Sequence, residues 1–154
     1  MKLFPKSLGE YGRFAQTGVL LIALVSFVRF LMLPVFNIPY STGTHFTSVT
    51  ILLWLLVAFY AVRVFQTGGS YRDVLGVAFT LVMTATAVII AAIVIDEFGG
   101  IDTYYTDPAH GGDLNPWMHM LGHVVFGLVG TLFMWGLGSL VYFFAARMKK
   151  KAIA

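Results

Sequence analysis

The chain has 154 residues and a formal net charge of +3; 58% of its residues are hydrophobic, only 11% are charged, and its mean hydropathy is +0.84. A soluble domain carries roughly a quarter charged residues, so this composition excludes an ordinary soluble fold and indicates an all-α integral membrane protein. The absence of cysteine excludes disulfides, thiolate-held metals and dithiol redox chemistry.

Four apolar segments are long enough to cross a hydrocarbon core, which takes about 20 helical residues. The first runs from near Thr17 to Phe36, interrupted by Pro34. It meets Arg29, Pro34 and Pro39 rather than a small-residue cleavage site, so it is expected to be a retained helix and not a cleaved leader. The second span runs from near Phe46 to Phe65. The connection Gln66-Thr67-Gly68-Gly69-Ser70-Tyr71 follows, and its length makes the second and third spans antiparallel neighbours. The third span runs from near Val74 to Ile95. The fourth runs from near Pro116 to Ala146, with Pro116 suited to a first helical turn and Asn115 to its N-cap.

These segments predict one four-helix transmembrane domain over residues 1–154, an antiparallel up-down-up-down bundle. Nine of the ten basic residues precede span one, flank the turn between spans two and three, or follow span four; Arg29 is the exception. The two remaining loops contain no Lys or Arg. By the positive-inside rule both termini are cytoplasmic, in what is expected to be a prokaryotic inner membrane. The basic residues lie at the chain ends and in one short loop, a distribution that does not indicate nucleic-acid binding. The expected surroundings are the lipid bilayer and, as partners, other membrane subunits or further copies of the chain.

All four histidines fall in the opposite, extracytoplasmic layer: His45, His110, His119 and His123, joined by Asp107 and Asp113. His119 and His123 are four apart, so they share one helix face and are spaced to hold one small ion. Gly127, Gly130 and Met134 continue that face and leave room for a close helix or a flat cofactor. The mixed nitrogen and oxygen donors suit zinc or copper(II) better than calcium. The sequence therefore predicts a metal site drawn from His119, His123, His45, His110, Asp113 and Asp107.

Other readings are an accessory subunit of a larger membrane complex, and a b haem held by His45 and His123 with Arg29 on its propionates. A metal-activated water acting on a lipid or small substrate is the enzymatic reading; no catalytic residue is identified. His119 and His123 project the same way and cannot bracket one haem, which ranks a metal ion first. The outline is similar to that of b-type cytochrome subunits and small copper-handling membrane proteins, in topology and histidine count alone. Arg29 is expected to pair with Asp96 or Glu97, with a haem propionate or an anionic lipid headgroup as its functional alternative. The span-three threonines are expected to bond back to helix carbonyls or hold helices together, and Trp54, Trp117 and Trp135 to serve packing or the interface.

Overall fold

The structure, a computed structural model, describes residues 3–39, 48–101, 103–105, 107–108 and 115–153. Among these residues all regular structure is helical: α1 (Leu8–Phe14), α2 (Gln16–Met32), α3 (Val49–Gln66), α4 (Tyr71–Gly99) and α5 (Pro116–Ile153). Helices α3, α4 and α5 are each long and apolar enough to cross a membrane; α1 and α2, bent by 81° at Ala15, supply a fourth candidate span as a pair. At 1.5 Å per residue α2 alone is about 25 Å long, slightly short of a core of about 30 Å.

Local sequence explains where each helix begins and ends. A capping box starts α1: the Ser7 hydroxyl accepts from the Glu10 amide while the Glu10 carboxylate accepts from the Ser7 amide. At the start of α2 the Gly18 amide, one of the donors a first helical turn leaves unsatisfied, donates to Tyr60 Oη at 3.2 Å. Any side chain at Gly18 would meet the Tyr60 ring and Leu81. Regular helix stops at Met32, two residues before Pro34 and earlier than the expected Phe36. Turns continue to Phe36, and Asn37 closes them at φ 50° as the Ile38 amide donates to Met32 O. The α3–α4 connection closes as its glycine pair predicts, with Gly68 at φ 73° and the Gly69 amide on Val64 O. Helix α4 overruns its expected Val74–Ile95 limits in both directions and ends on Gly100 at φ 64°. Helix α5 has 38 residues, about 57 Å by its rise, well beyond the hydrocarbon thickness.

The core lies where α2, α3, α4 and α5 meet, around Ile22, Val57, Tyr60, Val77, Ala78 and Leu81. The face of α5 that carries glycine is the buried one. A Cβ at Gly127 would stand 2.5 Å from Thr86 Oγ1, and one at Gly138 would strike Val74 and Val57. The small-residue face is thus filled by neighbouring helices at these two points, and Met134 is buried with it. The opposite face of α5 exposes Phe126, Val129, Leu132, Phe133 and Phe144, as a lipid-facing surface would. Thr80 and Thr84 of span three bond back as expected, each donating to the carbonyl four residues back, as does Thr131 on α5; Thr86 instead packs its hydroxyl against Gly127.

Candidate functional site

Pro116 opens α5 with Asn115 as its cap, the Asn115 side chain accepting from the Trp117 amide at 3.0 Å. This fixes the helical phase that turns His119 and His123 inward. Their Nε2 atoms stand 3.2 Å apart and their ring centroids 5.0 Å apart. Two nitrogens held about 2.0–2.1 Å from one tetrahedral ion are about 3.3–3.4 Å apart, so the pair has the separation of two ligands on one metal. The same separation suits a direct imidazole–imidazole hydrogen bond. His119 is buried and His123 half-buried. Trp117, by contrast, is 69% exposed, as a residue of an aromatic belt would be.

The other predicted ligands are not brought to this pair by the described residues. His45, His110 and Asp113 lie outside them. Asp107 is half-buried and engaged with a neighbour. Among the described residues no three His, Asp or Glu side chains converge as a metal-binding group.

Beyond the end of α4, residues 103–105 pack back against α4 and α2. Asp96, buried at the last turn of α4, accepts from the amide and the hydroxyl of Thr103, and Thr103 Oγ1 accepts from the Tyr105 amide. Tyr105 Oη then donates to Ser26 O on α2 at 3.3 Å. Tyr104 and Tyr105 are both fully buried edge to face, with ring centroids 5.7 Å apart. Burial pushes the Tyr105 phenol above its ordinary pKa, and the nearby Arg29 charge partly opposes that rise.

Arg29 departs from expectation. No ion pair with Asp96 or Glu97 is found among the described residues; its guanidinium carbon instead lies 4.2 Å from the Tyr104 ring centroid and 5.9 Å from that of Tyr105. The reason is the loop: Thr103 takes the Asp96 carboxylate, and the next residue presents its ring to the cation. Arg29 also lines a cavity of about 390 Å³ with Ser48, Thr50, Thr86 and His123. Sequence reasoning assigned Thr86 and Ser48 no role, since isolated hydroxyls carry no such signal.

A second polar cluster, at the far end of the bundle, was also missed. Asp73 is buried and accepts from the Ser70 amide and hydroxyl, both at 2.8 Å, and from Tyr11 Oη at 3.0 Å; Lys6 Nζ lies 3.6 Å away. The Ser70-x-x-Asp73 spacing is a capping-box pattern legible in the sequence. Its long-range partners were not.

No protein-family model, no curated protein and no solved structure matches this chain significantly, so its fold and site stand on their own residues.

Proposed function

We propose that the chain is a four-span membrane protein, an up-down-up-down bundle with both termini cytoplasmic, that binds a divalent metal ion of the zinc or copper class at its extracytoplasmic end. The carrying observation is the 3.2 Å separation of the His119 and His123 Nε2 atoms on one inward-facing helix surface. His45, His110, Asp113 and Asp107 are the proposed source of the remaining ligands. The orientation rests on nine of ten basic residues falling on one side, and on the absence of Lys and Arg from residues 96–115. An impermeant thiol reagent should label Asp107→Cys in intact cells; labelling only after lysis would reverse the orientation.

Elemental analysis and an absorbance spectrum of the purified protein test the metal. Stoichiometric zinc or copper is expected, with no Soret band. His119→Ala and His123→Ala should each reduce metal affinity roughly 100-fold or more, the loss of one ligand among three or four. A Soret band would instead favour the haem reading with His45 and His123 as axial ligands and Arg29 on a propionate. Metal-free protein that takes none up, with a double mutant that folds normally, would leave the accessory-subunit reading.

A further inference from the structure

We propose that the cavity beneath the histidine pair is a binding site for an anionic amphiphile: an acidic head on Arg29 and an apolar body along the cavity wall. Three observations converge. First, Arg29 brings a full positive charge to the last turn of α2, and its Nε is buried with no hydrogen-bond partner among the described residues. A charge at membrane depth is costly unless it is paired. The Tyr104 face and the α2 C-terminal dipole offset part of that cost, but neither supplies a counter-charge.

Second, Thr86 breaks the pattern of its neighbours. Thr80, Thr84 and Thr131 satisfy their hydroxyls on helix carbonyls, whereas Thr86, buried and lining the cavity, makes no hydrogen bond among the described residues. It is a donor available to an acidic oxygen. Ser48 lines the same space; its oxygen already accepts from the Ile51 amide, which leaves its proton free to donate.

Third, beyond Thr50 and His123 the rest of the wall is apolar: Leu53, Val82, Ala85 and Ile89 line the cavity, and Phe126 at its edge is 76% exposed on the bundle surface. A small hydrated anion would gain little from such a wall. A molecule arriving from the bilayer with one acidic group would match both halves of it. The metal reading is not required: His123 shares the cavity, but the charge and the donors proposed here come from Arg29, Thr86 and Ser48 on other segments of the chain.

Quenching of tryptophan fluorescence by brominated probes tests the proposal on the full-length protein in detergent. Dibromostearate, dibromostearyl alcohol, brominated phosphatidylglycerol and brominated phosphatidylcholine would be titrated in parallel. A hydrogen-bonded charge pair predicts that wild type binds dibromostearate roughly tenfold or more tighter than the alcohol. Preference for the fatty acid alone identifies a free acid as the ligand; preference shared by phosphatidylglycerol over phosphatidylcholine identifies a lipid headgroup. Arg29→Gln should abolish the preference while leaving metal content unchanged, and Arg29→Lys should keep part of it. Ala85→Leu, which fills the cavity without touching the charge, should weaken every probe. Equal binding of acid and alcohol by wild type overturns the proposal and needs no variant to fold. A preference that survives Arg29→Gln also overturns it.

Discussion

The two ends of this bundle solve the problem of polar groups near a membrane in opposite ways. At the Asp73 end one carboxylate collects Ser70, Tyr11 and Lys6, and the Tyr11 ring packs closely against Gly76. Each member is satisfied by another part of the chain, so the cluster acts as a clasp holding α1 at its 81° bend. At the His119 end the Arg29 cation rests on an aromatic face, Thr86 makes no hydrogen bond among the described residues, and a cavity lies between them. A satisfied network contributes stability; an incompletely satisfied one is costly and is retained where a ligand completes it. On the proposed reading, the first end is structural and the second is where a ligand would bind.

The sharpest way to break the comparison is at Gly76. A Cβ there would overlap the Tyr11 ring, so Gly76→Val should destabilise the protein by about 1–3 kcal/mol, as overpacking does. A drop in melting temperature in detergent, together with faster proteolysis between α1 and α2, is the expected result. An unchanged melting temperature would show that α1 does not depend on the clasp.

Asp73→Asn is the next test. It keeps the volume but removes the ion pair with Lys6 and weakens three accepted hydrogen bonds, for a loss of about 1–2 kcal/mol. Tyr11→Phe, which removes a single bond to the same carboxylate, should cost about 1 kcal/mol, and less once Asp73 is already Asn. Additive losses in the double mutant would mean that the two side chains do not act together.

The smallest effect is expected at the opposite end. Arg29→Leu forfeits a cation–π contact of about 0.5–1 kcal/mol but relieves the burial of a cation that has no ionic partner among the described residues. The melting temperature of ligand-free protein should therefore change little. A loss as large as that of Asp73→Asn would reveal a structural role for Arg29 and erase the distinction between the two ends.

How much of this was legible beforehand depended on whether the signal was local. The long apolar helices, the glycine turn between α3 and α4, the Asn115 cap of α5 and the placing of His119 and His123 on one helix face all follow from periodicity, capping and hydropathy. These act within a few residues, so the sequence alone determined them. The helix-to-helix match at Gly127 was half legible: the small-residue face showed, but its partner Thr86 did not. The rest was decided by tertiary structure. Tyr11 reaches Asp73 across 62 residues, and Tyr105 reaches Ser26 across 79. Arg29 was expected on an acid at the end of α4, and charge complementarity supported that choice. The outcome turned instead on where residues 103–105 lie, which gives Asp96 to Thr103 and Tyr104 to Arg29. Helical periodicity determines which face a residue occupies; only three-dimensional packing determines which of several chemically acceptable partners arrives there.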